Sequence, residues 1–228
     1  MSVLYSAGCS YTANFDLEKD QRYPLLIGKH FGWTVVDHAI PGSCNSIIIR
    51  RAMRDCINLL KNNEPIVALI QLTHQHRFEY AGTPTKENCW KYGLSVDRLT
   101  IDSQIDDEFE SINPLDKKNW PTEIIGYAKQ HIALHNTNAL NTNVLYSVVG
   151  LASFFRQNNI KYFIYAGPSY KGEDIVNNAF YQYLQKDPNV LDIKKFSMLG
   201  LINKDIHPNA DDMKTIANYF INLLGEQE

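Results

Sequence analysis

The sequence predicts an α/β fold, a three-layer α/β/α arrangement around about five parallel strands. Short apolar runs alternate with helical patterns, several of those runs end in small-residue or polar turns, and nothing in the composition divides the chain. With 228 residues, 44% hydrophobic and 21% charged, it is long enough for one full core, and no Gly/Ser linker, low-complexity stretch or internal repeat interrupts it. One domain over residues 1–228 is expected.

Each element has a local reason. Val3 to Ala7 is a short apolar strand, and Tyr23 to Phe31 reads as a helix that Gly32 stops. Trp33 to Asp37 forms a second strand. Asn45 is expected to cap a helix in which Ile48, Ala52, Cys56 and Leu59 share a face, with Ile49, Met53 and Leu60 alongside. Pro65 opens a third strand, Ile66 to Leu72, and Lys161 to Ala166 reads as a fourth. A fifth is expected near Phe196 to Ile202. Thr122 to Asn158 reads as helical, with a break or kink expected in the Asn-rich stretch 136–143 because asparagine is a poor helix former.

Ser10 is the most informative residue. The run Val3 to Thr12 delivers a strand, the small-residue turn Ala7-Gly8-Cys9 and then a hydroxyl, at the strand end where open α/β sheets bind ligands. Taken alone, such a serine could equally begin a turn or cap a helix. At the far end, Asp205-Ile206-His207-Pro208-Asn209 precedes an amphipathic helix, with Asn209 as N-cap, Asp211 and Asp212 in the first turn, and Ile216, Ala217, Phe220, Leu223 and Leu224 at helical spacing. His207 therefore sits in a loop, off the apolar face. Imidazole titrates near neutrality and suits the work of a general base for a serine, with a nearby carboxylate fixing its tautomer.

Three blocks, Gly8-Cys9-Ser10-Tyr11-Thr12, Ala39-Ile40-Pro41-Gly42-Ser43-Cys44-Asn45 and Asp205-x-His207-Pro208, resemble the SGNH (GDSL-type) hydrolase superfamily in order and spacing. The resemblance spans nearly the whole chain and implies a flavodoxin-like sheet, ester hydrolysis, Ser10 as nucleophile, its own and the Gly42 backbone N–H as oxyanion donors, and His207 as base. It implies no cofactor. Three departures mark a divergent member. Cys9 replaces the aspartate of Gly-Asp-Ser. Lys204 occupies the usual acid position three before His207, so either Asp205 orients the ring or a backbone carbonyl does and leaves a Ser-His dyad. Finally, the third strand runs into Thr73-His74-Gln75-His76-Arg77 with no asparagine, the family's third oxyanion donor. Thr73 or Gln75 could donate instead, and losing such a donor costs about a hundredfold or more. Asn45, His74 and Arg77 complete the expected substrate-binding set.

Between residues 78 and 122 lies an insertion without clean periodicity that holds Tyr80, Trp90, Tyr92 and Trp120, with Tyr127 nearby. Such aromatics either pack the insertion onto the core or form a wall on which sugar rings stack, which makes carbohydrate O-deacetylation the more specific expectation. Two other classes compete. One is a non-catalytic SGNH-fold protein that binds a ligand or carbohydrate. The other is a metal-dependent hydrolase in which His74-x-His76 and Asp205-x-His207 hold zinc, but the serine reading needs no metal.

A net charge of −3 gives no global attraction to nucleic acid or anionic lipid, so the expected partner is a small-molecule or carbohydrate ester; the sequence is silent on oligomeric state. Cys9, Cys44, Cys56 and Cys89 show neither Cys-x-x-Cys spacing nor disulfide-scaffold density, which suits a reducing compartment. Ser6-Ala7-Gly8-Cys9 imitates a lipoprotein cleavage site, but no basic residue precedes it and the apolar stretch is too short for a signal. No run approaches the ~18 apolar residues of a membrane span. A cytoplasmic protein is expected.

Overall fold

A computed structural model of the chain describes residues 2–14, 16–41, 43–74, 77–80, 99–102, 137–167, 173–193, 196–202 and 207–226. Four strands form a parallel sheet: β1 (Val3–Ala7), β2 (Thr34–Asp37), β3 (Ile66–Leu72) and β6 (Lys161–Ala166), in the order β2-β1-β3-β6. Val3 pairs with Thr34 on one side and Ile66 on the other, and Val67 pairs with Lys161. β1 and β3 are buried along their whole length, the pattern of strands covered on both faces, whereas β2 is an edge strand and partly exposed.

Successive side chains on these strands serve opposite layers. Tyr5, Ala68, Ile70, Tyr162 and Ile164 face α2 (Asn45–Leu60) and α3 (Thr137–Gln157), where Ile48, Ala52, Leu151 and Phe155 close the core. Leu4, Val67, Leu69, Phe163 and Tyr165 face the other way, against Ile27 of α1 (Tyr23–Phe31) and Met213, Ile216 and Phe220 of α6 (Ala210–Gly225). The three-layer architecture thus agrees with the sequence expectation. From β1 the chain turns to β2 on one side, then crosses to β3 on the other. That reversal opens a crevice at the carboxyl ends of β1 and β3.

Two expectations, one of a helix and one of a strand, are corrected. From Thr137 on the Asn-rich stretch carries no break, because α3 runs from Thr137 to Gln157. Tertiary contacts override the weak propensity there: Asn178 Nδ2 donates to Thr142 Oγ1 (2.7 Å), and Leu145 and Val148 of the same helix are buried in the core. Nor is Phe196 to Ile202 a strand. Ser197 accepts from Gly200 N at 3.0 Å and caps the short helix α5 (Met198–Leu201), which follows α4 (Ala179–Leu184). Beside β6, where a fifth strand would lie, there are two isolated parallel bridges, Ile164 to Val190 and Ala166 to Ser197.

Gly32 (φ 69°) ends α1 as its sequence position suggests. Within the insertion, β4 (Arg77–Tyr80) pairs antiparallel with β5 (Leu99–Asp102), Arg77 opposite Asp102. Trp90, Tyr92, Trp120 and Tyr127 lie outside the described residues, as does the helix expected over 122–136. Among the described residues no helix is long and apolar enough to cross a membrane.

Asp55 of α2 gathers three side chains. Tyr5 donates to its Oδ2 (3.1 Å), His38 Nδ1 lies 2.7 Å from the same atom, and Arg54 Nε donates to Oδ1 (2.8 Å). Burial pushes the carboxyl up, but the His38 and Arg54 bonds outweigh it and hold Asp55 below its usual range. Together these bonds fasten the loop after β2 to α2.

Candidate active site

The turn after β1 is drawn tight by Thr12 N and Ala13 N, both donating to Cys9 O at 3.0 Å. Ser10 stands in it, partly exposed. Across the crevice, α6 begins with a reciprocal cap: Asn209 Oδ1 accepts from Asp211 N and Asp212 N (3.0 Å each), and Asp212 Oδ2 accepts from Asn209 N (2.8 Å). This fixes where the preceding loop must lie. Asn14 Nδ2 donates to Pro208 O at 3.0 Å and ties that loop to the serine turn. The outcome is a 2.8 Å contact between His207 Nε2 and Ser10 Oγ, across 197 residues of sequence.

For His207 to accept the serine proton, Nε2 must be unprotonated and Nδ1 must carry the hydrogen. Asp211 Oδ1 pairs with Lys214 (2.9 Å), and Asp212 Oδ2 serves the cap. Asp205 lies outside the described residues, as do Gly42 and Gln75; so does the Arg77 side chain. The loop that carries Gly42 nevertheless runs beside the nucleophile turn. His38 N donates to Ser6 O (2.8 Å), Ile40 N to Gly8 O (3.0 Å), and Ser43 N to Ile40 O (3.1 Å).

At the end of β3, Thr73 is fully buried and its backbone is clasped by Asn45, whose Oδ1 accepts from Thr73 N (2.8 Å) and whose Nδ2 donates to Thr73 O (3.1 Å). Asn45 was expected to cap α2; Cys44 holds that position, and the asparagine in the first turn joins α2 to β3 instead. His74 is partly exposed, and its Nε2 lies 3.1 Å from the Tyr11 hydroxyl. Of the zinc candidates, His74 and His207 thus direct Nε2 toward Tyr11 and Ser10, while His76 and Asp205 lie outside the described residues.

Gln71 was not anticipated. It is fully buried in an otherwise apolar strand, and its Oε1 accepts from Cys9 N (2.9 Å) and Thr12 Oγ1 (3.1 Å). Its amide is wedged between two glycines. A Cβ on Gly8 would stand 2.7 Å from Oε1, and one on Gly167 would stand 2.3 Å from Nε2. Because Thr12 spends its only hydrogen on Gln71, its oxygen must accept from Tyr23, 2.9 Å away, and Tyr23 must accept in turn from Tyr165. Burial raises both phenols well above their usual range, so they remain protonated donors. This buried line supports the serine turn from below. The lone polar residue in Ile66 to Leu72 was its only trace in the sequence.

Gln71→Leu keeps the volume but leaves Cys9 N and Thr12 Oγ1 without their acceptor. A loss of about 1–3 kcal/mol of stability is expected for each buried orphan, together with lower turnover as the turn relaxes. Denaturant unfolding checks the first effect, and a wild-type midpoint would refute it.

No family model matches the chain, and no curated protein matches it. Solved structures do. An esterase EstA from Pseudoalteromonas sp., inhibited by monoethylphosphonate, is 14% identical over 100% of this chain and 98% of its own, with a TM-score of 0.51. TesA is 13% identical over 95% and 94%, with a TM-score of 0.49. A Bacteroides fragilis acylhydrolase is 11% identical over 99% and 88%, also at 0.49.

Proposed function

From a chain that has the fold of the SGNH/GDSL esterases, we propose a serine ester hydrolase in which Ser10 is the nucleophile and His207 the base. The observation that carries this reading is the 2.8 Å contact between Ser10 Oγ and His207 Nε2 at the carboxyl end of β1. Ser10 Oγ attacks the acyl carbonyl while its proton passes to Nε2, and the backbone N–H groups of Ser10 and Gly42 receive the developing oxyanion. His207 then gives that proton to the departing alkoxide as the ester C–O bond breaks. A water attacks the acyl-enzyme, losing its proton to His207, and the carboxylic acid leaves as Ser10 recovers its hydrogen. Asp205 is the proposed partner of Nδ1.

The substrate we propose is a small ester, with O-acetylated carbohydrate as the more specific class, on the strength of the aromatic residues between 78 and 127. Hydrolysis of p-nitrophenyl acetate and release of acetate from an acetylated sugar test both levels. Since Ser10 needs no ion, activity is expected to survive a chelator and buffer exchange. Loss on chelation, recovery with zinc and indifference to Ser10→Ala would transfer the chemistry to a metal.

A further inference from the structure

His207 is exposed and reaches its partner from a loop, so something besides chain connectivity must hold the imidazole plane toward Ser10. Tyr11, next to the nucleophile, is placed to do this. Its ring lies against the His207 ring with centroids 5.1 Å apart and planes at 42°, and it is only 9% exposed. An aromatic face on one side of an imidazole removes the rotations that would swing Nε2 away. A ring held by packing alone can slide, but the Tyr11 hydroxyl is fixed by His74 Nε2 at 3.1 Å. His74 in turn follows Thr73, whose backbone Asn45 clasps through two hydrogen bonds. The contacts run without a gap from the start of α2, through the end of β3, to the base and the nucleophile.

We propose that Tyr11 is a positioning residue for His207 and that His74 acts through it, as the anchor of the Tyr11 hydroxyl. The inference rests on the reading of Ser10 and His207 as nucleophile and base. The Tyr11–His74 bond survives either state of His74, because a phenol hydroxyl donates to a bare Nε2 and accepts from a protonated one. The Tyr11–His74 bond that keeps the ring in place corresponds to about a two- to tenfold bias in ring orientation. Turnover, not substrate affinity, should feel its loss.

The test is a double-mutant cycle of Tyr11→Phe and His74→Ala in the full chain, with His74→Gln as the conservative variant. For p-nitrophenyl acetate, each single change is expected to lower kcat about two- to tenfold with KM unchanged. The double variant should fall no further than either, and His74→Gln, which can still bond the hydroxyl, should recover most of the loss. A second readout needs no turnover: the NMR signal of the His207 ring Hε1 feels the Tyr11 ring current and should move in Tyr11→Phe and His74→Ala, but not in His74→Gln. Losses that multiply in the double variant, or a His207 signal unmoved in both single variants, would overturn the proposal. If the wild-type protein hydrolyses no ester, the hydrolase reading fails, and the His207 signal still decides whether Tyr11 and His74 position that ring.

Discussion

Ser10→Ala is expected to reduce kcat for p-nitrophenyl acetate by a factor on the order of 10^4 to 10^6. The size of the effect follows from what remains. The oxyanion donors stay in place, but the covalent route is gone, and a water in the vacated space would have to find its own alignment with His207. Folding should be unaffected, because Ser10 is partly exposed and its hydroxyl contributes no buried hydrogen bond to the core. Stopped assays with active-site mutant and wild type at equal concentration measure the ratio; a fall of less than tenfold would mean that another group attacks the ester.

His207→Ala is expected to cost nearly as much, on the order of 10^4 or more in kcat. An unassisted serine hydroxyl is a poor nucleophile at neutral pH, and the contact at 2.8 Å is where its proton would go. The two changes act on one step, so the double variant should be no slower than the worse single variant. Multiplying losses would show that serine and histidine serve separate reactions. The α6 cap and the bond from Asn14 to Pro208 do not depend on the imidazole, so the loop should keep its course in the variant.

The sheet was legible because buried parallel strands read as near-continuous apolar runs, which describes β1, β3 and β6, broken only by Ser6, Gln71 and Lys161 respectively. Ser10 and His207 were legible for local reasons too: one stands in a small-residue turn after a strand, the other just ahead of a well-capped helix. What escaped depends on distant partners. Phe196 to Ile202 has the length and apolarity of a strand, but Leu199 N donates to the distant Gly167 O (3.1 Å) while Ser197 caps the short helix that forms there. Asn45 has the composition of a cap, yet its side chain is claimed by Thr73, 28 residues on. Gln71 looks like an isolated polar residue until the fold brings Cys9 and Thr12 against it from about 60 residues away. The pairing of Tyr11 with His207 has no local signature at all, since neither residue type is unusual in its own segment.

The central claim is that Ser10 is an activated nucleophile, and covalent labelling by a fluorophosphonate tests it most directly because it requires no guess about the ester. The phosphorus is attacked by the serine oxygen with loss of fluoride, leaving a stable adduct on that atom. The expected result is one adduct in native protein, mapped by mass spectrometry to the peptide containing Ser10, and none in denatured protein, Ser10→Ala or His207→Ala. Folded wild-type protein that stays unlabelled, or that labels equally well after Ser10→Ala, would contradict it.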